Sequence, residues 1–307
     1  MAALRRPLSR LAVFLTHGTG ITISVIMVIS ILLLGFIVSN FAPFDPRRWN
    51  TAPKDQPPSM DKFIFGTTSI GQDVFWLLTY SIRNSIILGV VGSVVGLAIG
   101  GVLGLVAGYK GGMTEKIILT LGDTFIVLPG LPMLILLSTM VKKQLNMFLL
   151  GFIIAALTWG MPVRNVRSMV LSLREREFTH TAVFSGFNTL NIITSEYTPH
   201  ILPWVAASFI SRINMAIGME VTLAIFGLSS LAEGTLGTMI YWALQYNAML
   251  RGLWWWIFAP VGMVVFIVLG FYMLSGGVAE YLNPRTRLYR IATEETKEIE
   301  SVDRSIE

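Results

Sequence analysis

The chain is 307 residues long, 53% hydrophobic and 13% charged, against roughly 45–50% and 25% for a soluble domain. Its charges cluster between long uncharged stretches, which excludes a soluble globular protein and identifies an integral membrane protein. Cysteine is absent, which excludes disulfides, thiolate metal sites and cysteine nucleophiles. The net charge of +5 bears on membrane topology rather than on nucleic acid.

About six spans of roughly 20 residues each would use most of this length. Arg5, Arg6 and Arg10 lie in a first segment, 1–17, expected in the cytoplasm. The uncharged run 18–41 exceeds the roughly 7–15 residues of a signal-peptide core, so it reads as an uncleaved first span. Residues 42–84, polar from Asp45 on with prolines at 46, 53, 57 and 58, read as an extracytoplasmic loop. The second span is expected over 85–108. There Gly92, Gly96, Gly100, Gly104 and Gly108 repeat every four residues and keep one helix face small, so that another helix can pack closely or slide. A turn at 108–112 leads to a third span, 117–140, containing Asp123 and Pro129. Asp123 is either a functional intramembrane acid or a side chain that reaches water from the end of its span.

Lys142 and Lys143 open a short external turn before a fourth span over 148–163. The fifth is expected over 204–225. Its Arg212 and Glu220 stand eight residues apart, about 12 Å along a helix axis, too far for a direct ion pair. A short external excursion at 229–234 follows. The sixth span begins at Trp254, Trp255 and Trp256, read as an interfacial belt, and ends near 274. A charged tail, 281–307, closes the chain. Fourteen lysines and arginines fall on the side of the termini and eight on the other, which puts both termini in the cytoplasm.

Between the fourth and fifth spans lies a polar segment, 164–203. Ser172 with Glu175 reads as a capping box that starts a helix. Phe178, Ala182 and Ser185 then share a face. Gly186 stands where a left-handed residue would stop that helix. Asn188 can cap a second short helix, which Pro199 and Pro203 would bound. The result is a helix-glycine-helix element between two spans.

This element resembles the cytoplasmic loop of ABC importer permeases, with its Glu-Ala-Ala triplet, a glycine after three further residues and a later Ile-Leu-Pro. Here the triplet is His180-Thr181-Ala182, which departs at two positions, followed by Gly186 and Ile201-Leu202-Pro203. Other stretches resemble the dipeptide/oligopeptide/nickel branch of that family. Gly66, Thr67, Gly71, Asp73 and Val74 match its Gly-Thr-Asp-x-x-Gly-Arg-Asp-Val stretch, with Thr68 and Gln72 replacing the acid and the arginine. Gly108-Tyr109-x-Gly111-Gly112, Asp123 and Pro129 match a second stretch. Glu220, Leu223, Gly227 and Leu228 match a third. Gly276 or Gly277 with Asn283-Pro284-Arg285 resembles the terminal one, Asn283 replacing an acid.

The resemblance implies an all-α, six-transmembrane-helix bundle of the type I importer permease kind, with a permease core over 85–280 and a coupling-helix loop over 164–203. It implies a heterodimer with a second homologous permease, two ATP-binding subunits that hold ATP and Mg, and an extracytoplasmic solute-binding protein. It implies that the loop, through Glu177, Phe178, His180, Thr181, Ala182, Phe184, Gly186 and Pro203, docks on an ATPase. Phe178 and Phe184 are the candidate apolar anchors. The chain would be no enzyme and would carry no cofactor.

The residues agree with that division of labour. There is no Gly-x-x-x-x-Gly-Lys-Ser/Thr loop for nucleotide phosphates. His17, His180 and His200 lack ligand spacing, so no metal site is expected. No Gly-x-Ser-x-Gly elbow is present. The expected function is import of dipeptides or oligopeptides across a prokaryotic cell membrane, with oligosaccharides or nickel complexes as alternative cargo. A channel or a membrane enzyme is the alternative class, distinguished by copurification with ATPase subunits.

Overall fold

A computed structural model describes residues 19–141 and 144–282. The N-terminal arginines, His17, Lys142, Lys143, Asn283-Pro284-Arg285 and the rest of the tail lie outside the described residues. Helix α1, Thr19–Leu32, runs on through a π turn, Leu33–Ile37, and a 3₁₀ turn, Val38–Phe41. It lies along the last helix, α11, Trp254–Leu282.

The loop after α1 is held mainly by backbone bonds. The N–H groups of Thr51 and Ala52 donate to the Gly71 carbonyl, and that of Thr67 donates to Gln56. Gly66 and Gly71 take φ of 70° and 75°, which glycine adopts without penalty. Gln72 Nε2 donates to the carbonyls of Pro46 and Arg47. The Arg47 hydrogen bond to Asp45, 3.0 Å, holds that carboxyl below the usual carboxylate range. Asp73 accepts from the Phe75 N–H and caps α2, Val74–Lys110. This cap moves the start of the second span's helix to Val74 rather than the expected 85. Its 37 residues extend about 55 Å, against about 30 Å of hydrocarbon, so part of α2 stands outside the bilayer.

Gly111 and Gly112, with φ of 65° and 59°, turn the chain into α3, Gly112–Val127. An 87° bend at Leu128 and Pro129 separates α3 from α4, Gly130–Met140. A 51° bend at Trp159 separates α5, Met147–Thr158, from α6, Gly160–Arg174. The third and fourth spans, expected as single helices, are therefore each broken. Among the described residues four helices are long and apolar enough to cross a membrane, and each bent pair taken as one crossing gives six.

Three further helices link α6 to α9: α7, Glu177–Phe184, the single turn α8, Thr189–Asn191, and a π turn, Ile192–Tyr197, which runs into α9, Thr198–Ile225. Beyond α9, where only a loop was expected, lies α10, Leu236–Gln245, opened by a Thr235–Thr238 capping box. The Asn84 side-chain amide on α2 donates to the carbonyls of Glu233 and Gly234 and holds its approach.

Helix α2 is the axis of the bundle and packs on α5, α6 and α9. One apolar core joins the loop end near Ile70 to α2, α9, α10 and α11. A second joins α2, α4, α5 and α9. A third lies under α7. The three tryptophans do not form the expected interfacial belt. Trp254 is exposed, but Trp255 and Trp256 are buried at 8% and 0%. Trp255 Nε1 donates to the Thr67 carbonyl, so this indole fixes the loop instead of facing lipid headgroups.

Candidate functional site

The element between α6 and α9 is a hairpin of short helices. Its sequence start was misplaced: Ser172 lies within α6, and the next helix begins at Glu177, with Arg176 as a cap that makes no side-chain bond. The reason is local. Val166, Val170 and Leu173 keep one face of α6 buried, which carries the helix past Ser172. Thr179 Oγ1 donates to the Leu173 carbonyl at 2.7 Å and sets the angle between α6 and α7. Arg174 Nη1 donates to the Gly108 carbonyl and ties the hairpin to the end of α2.

Helix α7 ends in a Schellman turn. The Phe187 N–H donates to Ala182 and the Gly186 N–H to Val183, while Gly186 takes φ of 80°. Asn188 Oδ1 then accepts from the Asn191 N–H at 2.8 Å and caps the second arm. That arm is not bounded by the prolines, as expected. Thr189–Ile225 is one helical body, with Pro199 in the first turn of α9 and Pro203 inside it. Pro199 is tolerated there because a first-turn N–H has no intrahelical partner. The hairpin's second arm and the fifth span are therefore continuous.

The two aromatic rings expected as anchors differ in exposure. Phe178 is half-buried, packs on the core below and stacks on His200 at 5.2 Å. Phe184 is 90% exposed. Val183, Phe187 and Leu190 are exposed beside it in sequence, so the hairpin tip carries an apolar patch. Glu177, His180 and Thr181 are exposed as well, whereas Ala182 is buried. Sequence reading missed Phe187 and Leu190, although two apolar residues flanking a glycine stop and its asparagine cap were a usable signal.

The glycine face of α2 meets the fourth span. A Cβ on Gly104 would stand 2.8 Å from the Val163 carbonyl oxygen, and one on Gly108 2.7 Å from Val170 Cβ. Gly100 faces Pro162 and Trp159, Gly96 faces Arg212, and Gly92 faces Gly151. Helix backbones thus approach where side chains would separate them.

Asp123, expected as a lone acid, is paired: Arg164 Nε donates to it at 2.6 Å. Glu115 and Arg167 form a second pair between α3 and α6. Arg212 and Glu220 do not meet. Arg212 Nη2 donates to the carbonyl and hydroxyl oxygens of Thr158, both at 2.8 Å. Glu220 is fully buried, and its Oε1 accepts from Thr235 Oγ1 at 2.6 Å and Ser229 Oγ at 3.1 Å.

The described residues form a many-helix membrane bundle whose polar loop is a hairpin, continuous with one long helix. The chain belongs to the binding-protein-dependent transport system inner membrane component family, whose profile matches residues 100–288. It is a multi-pass permease subunit of an ABC importer, of the type I fold, and not an enzyme. It is similar to the oligopeptide transport system permease protein OppC of Bacillus subtilis, with 28% identity over 86% of this chain and 85% of that protein. It is similar to the dipeptide transport system permease protein DppC of the same organism, with 30% identity over 84% and 80%. Against DppC of Haemophilus influenzae the identity is 24%, over 93% of this chain and 97% of that protein.

Proposed function

We propose that this chain forms half of the translocation pathway of an ATP-driven importer of dipeptides or oligopeptides. Its partners would be a second, homologous permease, two ATPase subunits that bind ATP and Mg, and a solute-binding protein outside. The peptide names of its relatives support the cargo and favour it over oligosaccharides or nickel complexes. The observation that carries the mechanism is the hairpin. An apolar tip at Phe184, Phe187 and Leu190 is suited to an ATPase groove, and its second arm runs unbroken into α9. Closure of the ATPases would then move the fifth span as a rigid body and reset the gate. This assigns the segment 164–203 to the cytoplasm with both termini, and 42–84 to the outside. The glycine face of α2 would serve as the close-packed axis for that motion.

The test is reconstitution. The chain is coexpressed with its neighbouring permease and ATPases, inserted into liposomes and supplied with the binding protein. ATP-dependent peptide uptake is expected. Copurification without any ATPase, or uptake of a sugar but no peptide, would contradict the assignment.

A further inference from the structure

Arg212 stands near the middle of the 28-residue α9, eight residues and about 12 Å inside the segment 204–225 read as the fifth span. A cation at that depth is costly and is retained where it has an acceptor or a task. Its known acceptors are neutral, namely the two oxygens of Thr158, both held by Nη2. This bond has a structural cause. The Thr158 carbonyl would accept from the residue four positions on, which is Pro162 and has no N–H. The bond does not neutralise the guanidinium. Arg212 Nε is enclosed without a hydrogen-bond partner among the described residues. Among the described residues Arg212 forms no ion pair: Asp123 and Glu115 pair with Arg164 and Arg167, and Glu220, whose Oε2 has no partner, stands eight residues along the same helix.

The seat of this cation is built. A Cβ on Gly96 would stand 2.9 Å from Arg212 Nη2, so the glycine on α2 makes room for the guanidinium. In front of it opens a cleft of about 210 Å³ between α6 and α9, lined by Pro162, Asn165, Trp204, Ser208, Ser211 and Met215. Ser208, Ser211 and Arg212 lie together on one side of α9, and Asn165 and Ser211 are exposed. A helix face with this chemistry does not suit hydrocarbon. The cleft is smaller than the roughly 300–1,000 Å³ that enclose a whole small ligand. It therefore suits one end of a longer molecule, held loosely enough to leave.

We propose that Arg212, seated against Gly96 and facing the α6–α9 cleft, is a specificity-determining subsite for the C-terminal carboxylate of the peptide in transit, an inference that rests on the peptide-importer reading above. Nη2 is taken by Thr158 and Nε is enclosed, which leaves Nη1 to meet a carboxylate oxygen in a charge-assisted bond, and the Ser208 and Ser211 hydroxyls and the Asn165 amide supply further donors.

The experiment uses the full reconstituted complex and one peptide in two forms, the free acid and the C-terminal amide. Each is supplied at a concentration that saturates the binding protein. Wild type is expected to import the acid faster. Arg212→Gln should lower import of the acid about tenfold, the scale of a lost charged hydrogen bond, and leave the amide within about twofold. Arg212→Lys should keep part of the preference. Equal loss on both forms, an unchanged ratio, or failure of Arg212→Gln to assemble with the second permease would overturn the subsite. In the last case the charge serves the subunit interface. If wild type imports neither form, the peptide reading itself fails before any variant is compared.

Discussion

Glu220 holds its carboxylate where both Ser229 and Thr235 donate to one oxygen, and Thr235 is also the cap of α10. One side chain on the fifth span therefore sets the start of a helix outside it. Replacing it with alanine strands the buried Ser229 hydroxyl, leaves Thr235 with Thr238 Oγ1 alone as an acceptor, and opens a void. Glu220→Ala is expected to destabilise the complex by about 1–3 kcal/mol, read as a lowered Tm of the purified assembly. An unchanged Tm would show that the contact is incidental. The eight-residue spacing of Arg212 and Glu220 was enough to exclude their pairing. Their actual partners were not legible, because Thr158 and Thr235 are brought near by a bend and a turn whose angles no local pattern encodes. Asp123 looked unpaired for the same reason: Arg164 reaches it across two helices.

At the scale of elements, the four-residue glycine repeat translated directly into close approach of α2 to α6. Gly104→Ala would place a Cβ 2.8 Å from the Val163 carbonyl and Val166 and should cost about 1–3 kcal/mol as overpacking. Gly101→Ala, where a Cβ meets nothing within 4 Å, should be neutral or stabilise by up to about 1 kcal/mol. Equal Tm shifts for the two would refute a packing role. The hairpin was legible in its punctuation, Gly186 and Asn188, but not in its ends. The capping box at Ser172 lost to the buried face of α6, and Pro203 did not stop α9. The exposure difference between the two phenylalanines also separates their roles. Phe184→Asp should weaken copurification of the ATPase while the permease pair stays intact, since it puts a charge into an apolar contact. Phe178→Asp should disturb the hairpin itself. Normal ATPase recovery with Phe184→Asp would remove the tip from the interface.

For the whole molecule, composition and basic-residue asymmetry predict six crossings with both termini inside. In this cysteine-free chain, a cysteine at Lys54 should react with an impermeant reagent from outside, and one at Thr296 should not. The reverse pattern would invert the bundle and remove the hairpin from the ATPases. The hairpin is proposed to couple ATP hydrolysis to the gate, and Gly186 isolates that role. Its φ of 80° disfavours a β-branched side chain by about 1 kcal/mol or more, while a Cβ there meets nothing within 4 Å. Gly186→Val therefore changes the turn without disturbing packing, and Gly186→Asn, which tolerates that backbone, serves as its control. The decisive measurement is peptide uptake alongside substrate-stimulated ATP hydrolysis in reconstituted complexes, with assembly checked by copurification. Intact assembly with hydrolysis uncoupled from uptake in Gly186→Val, and near-normal uptake in Gly186→Asn, is the predicted result. Normal assembly and normal uptake in Gly186→Val would contradict it.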